Sequence, residues 1–361
     1  MQTYHVIGLM SGSSLDGADL ALCRFDVERD KLIYWSMVDA VTIPYTASWI
    51  GRLKSLPHAS ARELVLADVE LGHLFGSMIS DFVQNQTLAI DLISSHGHTI
   101  FHFPEQQCTT QIGDGAAIAM ETKIDTVTSL RSMDIAYGGQ GAPIAPLGDR
   151  YLMPTTDYYL NLGGISNINI PGDGHTVAFD ISGCNQILNA LSQTVGKDYD
   201  LNGEMASKGK ILPDLLSQLQ QDPYLIKPYP KSLDNEYVRK FETQLALDHH
   251  GNIYDKLATV IEFIALELKN AIQKNPVMKL QPTILVTGGG TLNLFMIHRM
   301  KTLMPESEFI IPDRKIIEYK EAAFIALAGL RRKLLLPNIF ADVTGASIDT
   351  INGAYYSRQF K

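Results

Sequence analysis

Cysteine is scarce in this 361-residue chain. Cys23, Cys108 and Cys184 are odd in number, far apart and free of any CxxC spacing. That excludes a disulfide framework and fits a reducing compartment. Long apolar runs are missing as well. The most apolar windows, such as Ile261–Leu268, are interrupted by Glu and Lys, so no span of a bilayer is expected. The opening MQTYHVIGLMSG has neither a basic n-region nor a long apolar core, so no signal peptide is expected, and the expected compartment is the cytoplasm. Positive charge is in short supply: 30 Lys and Arg face 39 Asp and Glu, a net charge of −9. With no basic run to displace counterions, a nucleic-acid surface is excluded as a partner. There is no low-complexity segment and no short-period repeat. What remains is ordinary globular composition, 45% hydrophobic and 19% charged, and a length that suggests two domains or a little more.

The hydrophobic pattern gives an alternating order of strands and helices. Val6–Leu9 reads as a short buried strand that ends in the loop MSGSSLDG. Strands over Ala18–Asp26 and Leu32–Ile43 follow. Apolar residues from Leu64 to Val83 recur at helical spacing, with Ser60 as N-cap and Glu63 three residues on. A strand over Ala89–Ser94, a small helix at Gly115–Glu121 and a strand at Asp125–Thr128 complete the first third. The remainder repeats that order with insertions. Tyr158–Leu162, Ile165–Ile170 and Val177–Phe179 are strands, and Asn185–Thr194 is a helix. After a long helical region whose clearest part is Asn252–Gln273 come a strand at Thr283–Val286, a helix at Leu292–Leu303, a strand at Glu308–Ile311 and a last helix over Ile317–Leu335, stopped by Pro337.

Within this duplicated order the two glycine-serine loops occupy the same place, the hairpin between the first and second strand of each half. In the first half the loop offers Ser11, Gly12, Ser13, Ser14, Asp16 and Gly17; in the second, Gly163, Gly164, Ser166 and Asn167. Glycines between strands allow positive φ and close approach of backbone to a ligand, and exposed amides beside small polar side chains form an anion-binding concavity. Each loop alone reads equally well as a plain turn. Facing each other, the pair suits a polyphosphate. A third run, Gly288-Gly289-Gly290 with Asn293, follows the fourth strand of the second half and opens a helix, where a base or ribose can lie against backbone. Neither GxxxxGK[ST] nor GxGxxG is present, which disfavours P-loop and Rossmann folds.

The motifs GLMSGSSLDGADLAL, SHGHTIFHFP, QIGDGAAIA, RSMDIAYGGQGAPIAP, NLGGISNI, AFDISGCN, PYPKSLDNEYV, TGGGTLN, YKEAAFIALAG and VTGASID, in this order over nearly the whole chain, resemble the anhydro-N-acetylmuramic acid kinase family of the actin–hexokinase–Hsp70 superfamily. The resemblance implies an α/β fold of two ribonuclease-H-like domains around a central nucleotide cleft. The expected first domain is 1–130 plus 338–361, and the second is 131–337 with the adenosine loop and inserted helices. It implies a cytoplasmic enzyme that uses ATP and Mg²⁺ to open 1,6-anhydro-N-acetylmuramic acid with water and phosphorylate O6, in cell-wall recycling. The partners are ATP and an anhydro amino sugar, with a homodimer left open. Four motifs depart from the family pattern: Ser13 stands in the usual GTS, His98 in GQT, Ser129-Leu130 in DFR, and Ile181-Ser182-Gly183-Cys184 in DTGPGN. A kinase acting on another sugar is the alternative, and an ATP-switched binding protein a more distant one.

On this resemblance Asp180 is the candidate base for the attacking water, a role that supplies about 10²–10⁴ in rate; on position alone it reads as a cap for the helix at 185. Asp16 would orient Mg²⁺ or phosphate through water, or be a turn residue. Arg131 would hold the lactyl carboxylate, or form a surface ion pair. His98, Thr99 and Glu321 are the other expected sugar contacts. His96, His98 and His102 lack a standard zinc spacing, and a metal there is disfavoured. Asp114 reads most simply as a helix cap, Gly138–Pro143 as a hinge or linker, and Lys231 as a weak phosphate contact.

Overall fold

The computed structural model describes residues 1–12, 15–84, 86–172, 176–228 and 231–357. The chain divides into two compact units, residues 1–153 with 319–361, and residues 154–318.

Unit 1 is built on strands β1 (Gln2–Ser11), β2 (Gly17–Glu28), β3 (Lys31–Pro44), β4 (Leu92–Phe103), β5 (Cys108–Ile112) and β6 (Thr126–Thr128). Unit 2 is built on β7 (Tyr158–Leu162), β8 (Ile165–Pro171), β9 (Thr176–Gly183), β10 (Thr283–Thr287) and β11 (Glu308–Ile310). A last strand, β12 (Ala354–Tyr356), returns to unit 1. The sheet orders are β12-β6-β4-β1-β2-β3 and β11-β10-β7-β8-β9. In unit 1, β1–β2 and β2–β3 pair antiparallel, while β1–β4 and β4–β6 pair parallel. Unit 2 repeats this: β7–β8 and β8–β9 are antiparallel, β7–β10 and β10–β11 parallel. The same strand order with the same polarity in both sheets is the ribonuclease-H-like duplication expected from the sequence.

The helix Ala61–Val83 starts with a complete capping box between Ser60 and Glu63, two orphan N-terminal groups satisfied reciprocally. Its buried stripe, Leu71, Phe75 and Ile79, packs with Ile7, Leu9, Leu20 and Ile93 of the sheet. Each such side chain contributes about 1.5–3 kcal/mol by leaving water. Gly72 and Gly76 let the helix Gly115–Thr122 come close: a Cβ on Gly72 would lie 2.9 Å from the Ala117 Cβ, and one on Gly76 2.5 Å from the Glu121 Cβ. Asp114 caps that second helix, its Oδ1 accepting the Ala117 amide at 2.7 Å.

The unit boundaries differ from the expected 130/131 and 337/338. The helix Arg314–Lys333 packs on the sheet of unit 1, where a Cβ on Gly8 would sit 1.8 Å from the Ala322 carbonyl oxygen, and one on Gly329 2.4 Å from the Ser94 Cβ. Residues 131–153 belong there too. Asp134 is fully buried and binds the Gly141 amide and the Thr344 hydroxyl, each at 2.7 Å, so the Gly138–Pro143 stretch is fastened within unit 1. The helix Ile253–Lys274 of unit 2 is buried on more than the single face its periodicity suggested, because the inserted helices cover its other side. Lys256 there donates to the Leu247 carbonyl at 2.7 Å, and Glu262 pairs with Arg299. No helix among the described residues is long and apolar enough to cross a membrane.

Candidate functional site

In unit 2 the register lines up a polar row across the sheet. Thr287 of β10 pairs with Asn161 of β7, Asn161 with Asn167 of β8, and Asn167 with Asp180 of β9. Their neighbours Leu160, Leu162, Ile168 and Phe179 alternate into the core, which leaves the four polar side chains on one face. The register shifts between Ser166 and Asn167, so Ile181 is an extra residue in β9. Such a bulge re-aims the adjoining side chain. Asp180 stands at this bulge and not at a strand end, since β9 continues to Gly183. Its Oδ2 accepts the Leu233 amide at 2.8 Å, and its carbonyl accepts the Tyr224 hydroxyl at 2.7 Å. The capping role is therefore not filled: Cys184 is the N-cap of the helix Asn185–Gln193, with no side-chain bond. Burial pushes the Asp180 carboxyl above the ordinary carboxylate range, and the Leu233 amide pulls it part of the way back.

The Gly163-Gly164 turn differs from the expected anion nest in its backbone. Neither glycine takes a positive φ. The Gly163 and Gly164 carbonyls accept the amides of Asn185, Cys184 and Gln186, capping the helix that follows β9. Internal packing leaves room for a side chain at Gly164, whereas at Gly163 a Cβ would press on Asn161 Nδ2 and the Ile165 carbonyl oxygen. A Cβ on Gly163 would find its nearest atom at 3.2 Å, and one on Gly164 at 4.0 Å. The open space beside Gly164 leaves room for close approach to the backbone. Ser166 is a correction: it is 1% exposed, with Oγ spent on the Ser182 carbonyl at 3.0 Å, because strand alternation puts it on the face opposite Asn167. Asn167 stays half-buried in the polar row.

In the third glycine run, Gly288 has φ of +86°, and a Cβ there would meet the Leu162 backbone at 2.7 Å. Gly290 is likewise filled by Leu162. Gly289 is open, its nearest neighbour being Asn185 Nδ2 at 3.9 Å. Asn293 is buried and caps the helix Leu294–Leu303, accepting the Met296 amide at 3.0 Å, so its carbonyl oxygen is committed to structure. Beside Gly289 opens a cavity of about 570 Å³ whose walls include Leu188, Tyr199, Leu201, Leu292 and Ile311, with Asn185, Asn189, Asp200, Asn202 and Arg314 among its polar groups. Flat apolar walls with a few polar groups suit a heteroaromatic ring.

In unit 1 the first loop joins β1 to β2, as expected, and its Ser13 and Ser14 lie outside the described residues. Ser11 is buried, its Oγ 2.6 Å from the Tyr45 hydroxyl and 2.9 Å from His98 Nδ1. Gly17 is a packing glycine, since a Cβ would lie 2.4 Å from the Ile43 carbonyl oxygen. The two are therefore supports of the loop, and Gly12 and Asp16 are its accessible part. Asp19, which the sequence reading missed, lies where Asp16 and Glu321 act on it. Burial raises its carboxyl first, the Thr42 hydroxyl lowers it, and those two acids raise it further. Glu321 is exposed on the Arg314–Lys333 helix.

Arg131 is no surface ion pair. Its Nε donates to His96 Nε2 at 2.9 Å, which leaves the ring proton on Nδ1, 3.0 Å from the Gly97 carbonyl. His96 is buried, and burial together with the Arg131 charge pushes it down to about 4. Arg131 has no acidic partner among the described residues. A half-buried guanidinium held at Nε by a neutral imidazole has terminal N–H donors of the kind that suit an anion. His98 is buried, and Thr99 lies half-buried beside it on β4. β4 runs on through both into an unexpected hairpin with β5. Lys231 does not reach outward: its ammonium donates to the Tyr224 and Leu225 carbonyls and lies over the Tyr224 ring.

Among the described residues, Asp214, His249 and His250 are the group that could hold a metal ion, and His96, His98 and His102 are not. His249 Nδ1 accepts the Gly251 amide at 3.0 Å, so a neutral ring carries its proton on Nε2, toward Asp214. That tautomer leaves Nε2 no lone pair for a metal.

A family model described as anhydro-N-acetylmuramic acid kinase matches residues 4–358. A curated protein of that name from Shewanella putrefaciens is 35% identical over 99% of this chain and 100% of its own length. Another of the same name, from Pasteurella multocida, is 33% identical over 99% of this chain and 98% of its own. Among solved structures, the activator of the 2-hydroxyisocaproyl-CoA dehydratase from Clostridium difficile with bound ADPNP aligns at 11% identity and a TM-score of 0.45, over 92% of this chain and 97% of that one.

Proposed function

The chain belongs to the anhydro-N-acetylmuramic acid kinase family, and we propose that it uses ATP to open 1,6-anhydro-N-acetylmuramic acid and phosphorylate O6, giving N-acetylmuramic acid 6-phosphate for cell-wall recycling. The observation that carries the reading is Asp180, a half-buried carboxylate with raised proton affinity at the end of the Thr287–Asn161–Asn167 row.

In this mechanism water attacks C1 of the sugar and gives its proton to Asp180. The C1–O6 electron pair leaves on O6, O6 bonds to the γ-phosphorus of ATP, and ADP departs. The phosphoryl group thus does the work of the acid that an inverting glycosidase places on its leaving oxygen. The Leu233 amide fixes the carboxylate by one oxygen. A carboxylate lifted by desolvation accepts the proton more readily than an exposed one.

Arg131 is assigned to the lactyl carboxylate, with His98, Thr99 and Glu321 beside the sugar. Gly12, Gly163 and Gly164 are assigned to phosphate, and the cavity beside Gly289 to adenosine. The hard oxygen donors of Asp16 fit Mg²⁺ held through water, as does its acidic neighbour Asp19. When bound, that ion supplies neutralisation of phosphate charge. The altered Ser129 and Ser182-Gly183-Cys184 keep a different anhydrosugar as the second reading.

Incubation with ATP and the anhydro sugar in ¹⁸O-water is expected to place label at C1 of a 6-phosphorylated product. Asp180→Asn is expected to lower kcat by about 10²–10⁴ with the ATP KM unchanged. An unlabelled product overturns the hydrolytic step, and an active Asp180→Asn variant overturns the base.

A further inference from the structure

Behind β9, on the side away from the polar row, lies a pair of acids that the reaction does not use. Glu242 and Asp222 are 0% and 1% exposed. Glu242 sits in the π-turn Arg239–Thr243, which interrupts the helical run Asn235–Asp248. The extra residue of a π-turn redirects a side chain, and such turns recur at functional sites. Here it aims Glu242 at the end of β9, where Oε2 accepts the Gly183 amide at 2.7 Å. Gly183 must be glycine for this, since a Cβ would lie 2.4 Å from that oxygen.

Asp222 holds the other part of the same strand. Its Oδ1 accepts the Tyr224 amide at 2.8 Å and the Tyr237 hydroxyl at 2.5 Å. Tyr224 in turn donates its hydroxyl to the Asp180 carbonyl at 2.7 Å. The two acids thus reach β9 on either side of the Asp180–Ile181 bulge. Each has one oxygen left over: Glu242 Oε1 and Asp222 Oδ2 are both buried, with no hydrogen-bond partner among the described residues. The Glu242 and Asp222 carboxyls lie within hydrogen-bonding reach of each other, and two ionised carboxylates that close in a dry site repel, so one retains a proton.

We propose that Glu242 and Asp222 share one proton as a carboxyl–carboxylate pair, and that this pair is the positioning device that holds the Asp180 bulge. The proposal rests on the reading of Asp180 as the base. The charges acting on Glu242 are acidic: burial raises its carboxyl first, the Gly183 amide opposes this, and Asp222 and Glu267 raise it further, up to about 8. Tyr224, Tyr237 and Cys184, packed around the pair, are all pushed above their ordinary ranges and stay neutral. Lys231 acts on both Asp222 and Glu267, Lys274 acts on Glu267 as well, and burial lowers Lys231. Below about pH 8 Glu242 holds its proton; above it, the charge on Glu242 loosens the grip on β9.

The test combines spectroscopy and kinetics. An infrared difference between wild type and Glu242→Gln at pH 7 is expected to show the carbonyl band of a protonated carboxylic acid, fading above about pH 8. Glu242→Ala is expected to lower kcat about 10²-fold at unchanged ATP KM, the cost of a misplaced base. The conservative Glu242→Gln is expected to restore most of kcat and to remove the alkaline fall near pH 8. Absence of the band, or an unchanged alkaline fall in Glu242→Gln, overturns the shared proton. Equal losses in the Gln and Ala variants overturn it too. The band is read without turnover, so it decides even if Glu242→Ala does not fold. An active Asp180→Asn variant with the band still present would instead overturn only the base assignment.

Discussion

Replacing Arg131 with lysine keeps a positive charge and removes the planar fork. In the structure that fork divides its donors: Nε is spent on His96 Nε2 at 2.9 Å, and the terminal nitrogens remain for an anion. A lysine ammonium at the end of a flexible stem cannot serve His96 and a carboxylate in fixed geometry at once. The loss is about one charge-assisted hydrogen bond, roughly 1.5–3 kcal/mol. That corresponds to about a 10- to 100-fold rise in KM. The rise should be confined to the sugar that carries the lactyl carboxylate. The informative assay therefore compares three constants in wild type and Arg131→Lys: KM for 1,6-anhydro-N-acetylmuramic acid, KM for 1,6-anhydro-N-acetylglucosamine, which has the same bicyclic ring without the lactyl ether, and KM for ATP. Wild type should prefer the first sugar, the variant should lose that preference, and the ATP constant should not move. Because burial and Arg131 hold His96 near 4, its ring stays neutral through the neutral pH range, and the preference should not vary with pH there. An equal penalty on both sugars, or a raised ATP KM, would refute the assignment of Arg131 to the carboxylate.

Three further substitutions have outcomes set by local structure. Gly164→Ala should raise the ATP KM with little change in melting temperature, since its Cβ meets nothing closer than 4.0 Å, whereas Gly8→Ala should destabilise unit 1, where the new methyl would overlap the Ala322 carbonyl at 1.8 Å. Ser60→Ala removes the capping box of the Ala61–Val83 helix and should cost about 1 kcal/mol in urea unfolding, with kinetic constants unaffected.

The elements that were legible in the sequence are those whose cause is local. The Ser60–Glu63 box, the Asp114 cap and the apolar strands at Val6, Tyr158 and Thr283 each need only neighbours along the chain, and each stands where its pattern put it. The duplicated strand order was legible for the same reason, since it follows from a count of short patterns. What was not legible depends on partners far along the chain. Nothing near residue 320 says that its helix packs on β1, so the unit boundaries were misplaced; the contact of Gly8 with Ala322 decides them. Nor does anything near residue 102 announce the β4–β5 hairpin, because its short second strand, CTTQI, has apolar residues only at Cys108 and Ile112.

The glycine-serine loops show why motif reading assigned the correct neighbourhood and, in part, the wrong atoms. Ser166 and Asn167 are adjacent, and on a strand adjacent residues face opposite ways. Both cannot meet one ligand. The alternation Tyr159, Asn161 and then Asn167, Asn169 against Leu160, Leu162, Ile168 and Ile170 already assigns the asparagines to the polar face, so Asn161 was discoverable and Ser166 excludable from period two alone. The bulge at Ile181 was not discoverable that way, because it exists only as a mismatch between β8 and β9. Without it, Asp180 and Ser182 would share a face and the strand would present a hydroxyl beside the carboxylate. With it, Ser182 turns inward to Ser166 and Asp180 joins the asparagine row. The one-residue insertion at Ile181 is followed two residues on by Gly183, whose amide donates to Glu242 of the π-turn, so the two irregularities are joined by one hydrogen bond.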